Sequence, residues 1–249
     1  MDNHVFAAAL SLTIAMLPIA AVQAAELKVI AGGSMTASLK ELGPKFEAAT
    51  GHKLDMTFAA TPELIKMATS APFDLGVVPV DVMKNDAARA KFAGTPTNIA
   101  RVGYGVAVTA GAPKPDVSTP EALKAALLKA QSIAVFPASA AGAYVQKTFE
   151  RLGIAEQIKD KIKVQTAPGA IPQAVAKGNA ELGVFLTNVL LAPGVELAGP
   201  FPGDLQNELV FVGAAAADSK DAAAAKAFLD YLRTPEAVSV FKAKGVTAG

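Results

Sequence analysis

The sequence predicts an α/β protein built as two Rossmann-like lobes joined by a two-strand hinge. Three observations predict it. Apolar runs alternate with helical patterns along the chain, the signature of a parallel sheet wound with helices. Two longer Gly/Ala-rich stretches, RVGYGVAVTAG (101–111) and ELVFVGAAAADS (208–219), flank an intact α/β block, as strands leaving one lobe and returning to it would. No repeat of fixed period interrupts the pattern. The first lobe is placed at 26–105 plus 210–249 and the second at 106–209, with one continuous α/β domain as the alternative.

The elements follow in order. LKVIA (27–31) is a strand and leads into a helix over 36–49; LDMTF (54–58) leads into 62–69, and DLGVVPV (74–80) into 81–91. YGVAVTA (104–110) is the outgoing crossover. Next come a helix at 119–130, the strand SIAVFP (132–137), a helix at 141–152 and the strand KVQTA (163–167). A helix at 170–177 precedes ELGVFL (181–186) and VELAG (195–199). After the returning strand ELVFVGAA (208–215) the chain ends in helices at 219–232 and 235–244. Thr119-Pro120-Glu121 and Thr234-Pro235-Glu236 each read as a Thr N-cap followed by proline in the first turn.

Residues 1–24 are set aside as a cleaved signal peptide. An apolar run from Val5 to about Val22 ends in the small-residue pattern Val22-Gln23-Ala24, although no Lys or Arg precedes it. Pro18 and the alanine content argue against a retained spanning helix. The leader's only charged side chain is Asp2, so the mature chain carries 23 basic and 21 acidic side chains, a net charge of about +2. That balance excludes nucleic acid and anionic membrane as natural partners. With no cysteine there is no disulfide, thiolate metal site or lipidated cysteine, so a free periplasmic monomer is expected. His52 is the sole histidine after the leader and Trp is absent, which leaves little material for a histidine triad or zinc site. His52, after Thr50-Gly51, reads as a solvated turn residue. Asp74 and Asp81 lack a third ligand, so no metal or cofactor is expected, and Asp74 reads as a cap near its strand.

Ligands of open α/β sheets collect beyond the carboxyl ends of strands, where helix N-termini present unpaired amides. Four small-residue corners lie there: Gly32-Gly33-Ser34 with Thr36; Ala59-Ala60-Thr61; Ala138 to Gly142, including Ser139 and Ala141; and Thr187-Asn188. Two fall in each lobe and could face one cleft. Glycines allow close backbone approach and hydroxyls supply uncharged donors, which suits an oxyanion that must be held and released. Each corner alone also reads as an ordinary helix cap. Arg101 at the hinge could pair with a carboxylate or be a surface residue, and Tyr144 or Gln146 could add a hydrogen bond. Lys28, Lys40 and KDKIK (159–163) read as solvated faces. Neither a phosphate loop ending in Lys-Ser/Thr nor a G-x-S-x-G elbow is present.

At these corners the chain resembles the type II extracellular solute-binding proteins, particularly the periplasmic molybdate-binding group. AGGSMTASLKELGPKFEAATG is similar to that family's opening strand, serine turn and helix, and DLGVVPVDVM to its third strand. ARVGYGVAVTAGAPKPDVST resembles the crossover, FPASAAGAYVQKTFERLGI the second-lobe anion turn, and AVAKGNAELGVFLTNVLL and TPEAVSVFKAKG the late motifs. The resemblance implies a periplasmic protein that captures a small oxyanion or organic-acid anion by hinge closure and delivers it to an ABC importer permease. It implies ligand contacts at Ser34, Ala60-Thr61, Ala141 and Leu186-Thr187. The chain departs from the molybdate pattern at three places. Ala60 stands where a second serine is common, Leu186 near a common tyrosine and Ala140 at a common proline. The first two remove hydroxyls, and Arg101 with Ser139 would suit a carboxylate. Relatives of the group include an aconitate isomerase. An isomerase using the same cleft on a small polycarboxylate is therefore the alternative, with Tyr144, Glu63, Asp74 or a lysine as candidate base and no pair fixed by spacing.

Overall fold

The computed structural model describes residues 24–249, so the expected signal peptide lies, but for its last residue, outside the described residues. The first lobe opens with β1 (Glu26–Gly32), α1 (Thr36–Thr50), β2 (Lys53–Ala59), α2 (Thr61–Ser70) and β3 (Leu75–Pro79). A 3-10 turn over Val80–Lys84 and a single helical turn α3 (Asp86–Arg89) follow, where the sequence predicts one helix. The break falls at Asn85, whose side chain accepts Ala88 N–H and caps a new turn.

β4 (Thr97–Thr109) starts seven residues earlier than the predicted strand and carries the crossover. Beyond it lie α4 (Pro120–Lys129), β5 (Ile133–Val135), α5 (Ala140–Arg151), α6 (Ala155–Ile158), β6 (Ile162–Val164), α7 (Ala170–Ala176), β7 (Leu182–Leu186), α8 (Thr187–Leu190) and β8 (Val195–Pro200). The chain returns through β9 (Glu208–Ala215), then α9 (Ala222–Tyr231), α10 (Pro235–Ala243) and the short β10 (Thr247–Ala248). Thr119 and Thr234 cap α4 and α10 as expected, each accepting the amide three residues on. α6, α8 and β10 carry too few residues to show a period.

The strands run β2-β1-β3-β9-β4-β7-β5-β6, with β8 and β10 both paired to β4. β1, β2 and β3 are parallel, as are β5, β6 and β7, while β9 and β4 are antiparallel to their neighbours. β4 belongs to both halves: residues 97–103 pair with β9, and 104–109 with β7 and β8. This is a mixed α/β fold of two lobes. At the switch, Tyr104 N–H donates to Gln206 Oε1 at 2.9 Å while Gln206 Nε2 donates to Tyr104 O at 3.0 Å. One carboxamide thus replaces the ladder partners that β4 loses as it changes neighbours.

Both sheet faces are covered, which is why the strands read as unbroken apolar runs. Leu27, Val29 and Ala31 of β1 pack with Leu39, Phe46, Phe228 and Phe241 on one face; Ile30 joins Leu64, Val78 and Phe92 on the other. His52 departs from its reading as a solvated turn residue. It is 5% exposed, its Nδ1 accepts Ala25 N–H at 3.0 Å, and its ring stacks on Phe46. Asp74 holds the start of the sheet, as expected, by accepting from Lys28 N–H and Ser219 Oγ, both at 2.8 Å.

Candidate functional site

The carboxyl ends of β1, β2 and β3 in the first lobe and of β5 and β6 in the second face one another across a small cavity. Gly32, Gly33, Ser34, Ala59, Ala60, Thr61 and Pro79 line it from the first lobe, backed by Leu209 and Phe211 of β9. Phe136, Ser139, Ala141 and Pro168 close it from the second. Its volume is about 20 Å³, measured to the centre of a water-sized sphere. That is at most about twice the roughly 10–15 Å³ needed to hold one water, so the two lobes meet closely here. None of these thirteen residues is charged or titratable.

The double glycine divides its roles. A side chain on Gly32 would come within 2.7 Å of the Phe211 ring, so Gly32 lets β1 end against β9. A Cβ on Gly33 would meet Pro168 of the other lobe at 3.5 Å, an ordinary contact. Ser34 then enters a 3-10 turn, Gly33–Met35, before α1. The capping alternative fails for Ser34: the cap positions are Gly32 and Met35, and neither end carries a side-chain cap. Thr36 Oγ1 donates back to Gly33 O at 2.7 Å and braces the turn.

Ser139 does cap. It accepts Gly142 N–H at 3.0 Å and seats the N-terminus of α5. Gly142 is required there, because a Cβ would lie 1.9 Å from Phe136 O and 2.6 Å from Pro137 Cα. Ala140 N–H reaches across the cleft to Thr61 Oγ1 at 3.2 Å. With the amides on either side engaged, Ala141 N–H is the α5 donor left for a ligand at the cavity wall. Thr61 is only 9% exposed, and its oxygen is already accepting, so its own proton is free to point at a guest.

Six of the nine residues singled out in the sequence therefore meet at the cavity: Gly33, Ser34, Ala60, Thr61, Ser139 and Ala141. Arg101, Tyr144 and Thr187 do not line it. Arg101 lies in β4 and its Nη1 sits 3.4 Å from Glu208 Oε2, both side chains about half exposed, so the geometry lends no support to a carboxylate-binding role. Tyr144 donates its hydroxyl to Leu205 O at 3.0 Å and packs its ring at a tilt against Tyr104; Thr187 donates to Gly103 O at 3.2 Å. Both brace the crossover. Burial holds the Tyr104 phenol far above its ordinary pKa, with Asp81 and Tyr144 adding to it, so the ring stays neutral. Of the other candidate bases, Glu63 is exposed beside Lys66 and Asp74 is occupied at the sheet edge. Pro168 was missed, although it lies between a predicted strand and a predicted helix as three of the four chosen corners do. Phe136, Leu209 and Phe211 carry no such signal. Among the described residues no group of three or more His, Asp or Glu side chains is placed to hold a metal.

Comparison with known proteins agrees with this architecture. The sequence profile of a family described as bacterial extracellular solute-binding protein matches residues 27–247. An aconitate isomerase from Pseudomonas sp is 30% identical over 246 residues, covering 95% of this chain and 93% of that protein. The molybdate-binding protein ModA of Azotobacter vinelandii is 31% identical over 232 residues, covering 90% and 91%. Among solved structures, the periplasmic molybdate-binding protein of Azotobacter vinelandii superposes with a TM-score of 0.73 at 19% identity, covering 89% of this chain and 98% of that one.

Proposed function

This chain belongs to the bacterial extracellular solute-binding proteins, and from that premise we propose that it captures one compact oxyanion in the interlobe cavity and presents it to an ABC importer. It works in the periplasm as a monomer after loss of residues 1–24. The observation that carries the reading is the wall itself: hydroxyls and helix-end amides from both lobes converge on about 20 Å³ with no charged side chain. Neutral donors stabilise concentrated negative charge without a permanent ion pair, so the anion is held firmly yet released when the lobes part. Ser34 and Thr61 contribute hydroxyl protons from one side and Ala141 an amide from the other. A small polycarboxylate would present several charges and a larger carbon frame, and it would meet no cationic partner here.

The second reading, an isomerase of small polycarboxylates, is favoured by the identity to the aconitate isomerase. It requires a base to move a carbon-bound proton, and the cavity wall supplies none. One experiment separates the two. Residues 25–249 are melted with molybdate, tungstate, sulfate, phosphate, citrate and both aconitate isomers. A guest at a hundred times its dissociation constant adds about 2.7 kcal/mol to the native state. Stabilisation by one or more of the inorganic tetrahedral anions is the expected result. Stabilisation by aconitate alone, with proton exchange into it under catalytic amounts of protein, would replace this reading with the isomerase.

A further inference from the structure

Away from the hinge strands, two hydrogen bonds among the described residues join the lobes across the cleft. One is the contact from Ala140 N–H to Thr61 Oγ1. The other comes from Asn188, in the first turn of α8, whose Nδ2 donates to the carbonyl of Ser34 at 2.7 Å. Asn188 does not line the cavity, so it would not touch a guest held there. It grips the backbone of the residue whose hydroxyl does. We propose that Asn188 is a positioning residue for ligand capture: a second-lobe clamp that fixes the Ser34 turn and favours the closed arrangement before any ligand arrives. The proposal rests on reading the cavity as the ligand site.

The chemistry at Asn188 supports a fixed placement. Its Nδ2 bond is short and spans 154 residues of sequence, and its Oδ1 is buried without a partner. Turned over, the carboxamide would set Oδ1 against the Ser34 carbonyl, acceptor against acceptor, so that contact fixes its orientation, while the unpaired Oδ1 is a cost the arrangement carries. The second lobe is seated against the first beside it as well: a Cβ on Gly245 would meet Leu191 Cδ1 at 2.4 Å and Asn188 Cα at 3.6 Å. Asn188 is thus half-buried between the Ser34 turn and the turn that follows α10, and if the lobes part at this face the donor bond belongs to the closed state alone. A bond made only in the closed form multiplies the closed-to-open ratio. When the open form predominates in the free protein, apparent affinity falls by the same factor if the bond is lost.

The natural absence of cysteine makes the test direct. Lys66→Cys and Lys159→Cys place spin labels on exposed positions of the two lobes, and the interlobe distance distribution gives the closed-to-open ratio with no ligand present. Asn188→Ala is expected to lower that ratio about 2- to 10-fold, the effect of one ordinary hydrogen bond. It should weaken every bound anion by no more than the same factor, mainly through faster dissociation. Asn188→Asp, which sets a carboxylate against the Ser34 carbonyl, should open the lobes further still. An unchanged distance distribution in both variants would overturn the clamp. Because that readout needs no ligand, it judges Asn188 even if the anion panel fails and the capture reading falls.

Discussion

Replacing Ser34 with alanine tests one proposed ligand contact apart from the architecture around it. Ser34 caps neither the 3-10 turn nor α1, so the substitution orphans no backbone amide. The bond from Asn188 goes to its main-chain carbonyl and survives. Stability should therefore stay within about 0.5 kcal/mol of the parent. A hydroxyl donating to a charged oxygen contributes roughly 1.5–3 kcal/mol, which at about 1.4 kcal/mol per decade weakens binding some 10- to 140-fold. The assay is calorimetric titration with whichever anion raises the melting temperature, run beside thermal unfolding of the ligand-free variant. Affinity within about twofold of the parent, a change of roughly 0.4 kcal/mol, would refute the contact. Unchanged affinity with lowered stability would show Ser34 to be part of the fold alone.

Gly142→Ala must displace backbone, since its Cβ would overlap Phe136 O at 1.9 Å; about 1–3 kcal/mol of overpacking is expected as a melting temperature lower by about 2–12 °C, with anion affinity falling as the α5 amides move. Arg101→Ala should leave affinity for the bound anion unaltered and cost at most about 1 kcal/mol in a urea melt, because it removes only a half-exposed pair with Glu208. Gln206→Ala leaves Tyr104 N–H without its partner, about 1–3 kcal/mol, and the urea midpoint should fall while spin labels report a broader interlobe distribution. Glu47 accepts Leu54 N–H at 2.8 Å and a second contact from Lys53, and that backbone bond above all holds its carboxyl below the ordinary 4.5. Its contribution is present above that ordinary value and is lost as pH falls through the depressed one, so Glu47→Gln should flatten the acid limb of a urea-midpoint profile.

The strand pattern was legible chiefly because β3, β5 and β7 are buried along their whole length and so appear as bare apolar runs. β9 begins and ends where ELVFVGAA does. The corners were legible for a related reason, since small residues between a strand and a helix mark the carboxyl edge whatever the partner strands are. What sequence could not supply is rotation. Thr187 stands at the end of β7 as expected, yet its hydroxyl turns back to Gly103 O and away from the cavity. Arg101 finds Glu208, 107 residues further along, only because β4 and β9 pair in one particular register. His52 looked solvated because Thr50 and Gly51 announce a turn, but that turn folds its ring under Phe46 and onto the amide of Ala25. β4 ran longer than its apolar core because β9 and β10 supply ladder partners to Thr97–Val102, polar positions included.

Only contacts made by both lobes together can drive closure, because a ligand bound equally well by the open form shifts nothing. On the proposed capture reading, Ser34 and its amides belong to the first lobe and act in either state. The closed state adds the Ala141 amide, and it changes Thr61, whose oxygen takes the Ala140 proton and so turns its own toward the guest. Two charge-assisted bonds gained on closure are worth about 3–6 kcal/mol together. Moving a population from one part in a hundred closed to ninety-nine takes about 5.5 kcal/mol. The two therefore suffice only near the top of their range, and any closure already supplied by Asn188 lowers what the ligand must contribute. On the capture reading the division of labour follows from the topology: Ser34 selects the anion from the first lobe in either state, while the Ala141 amide of the second lobe and the Thr61 hydroxyl that it helps to orient reward closing over it.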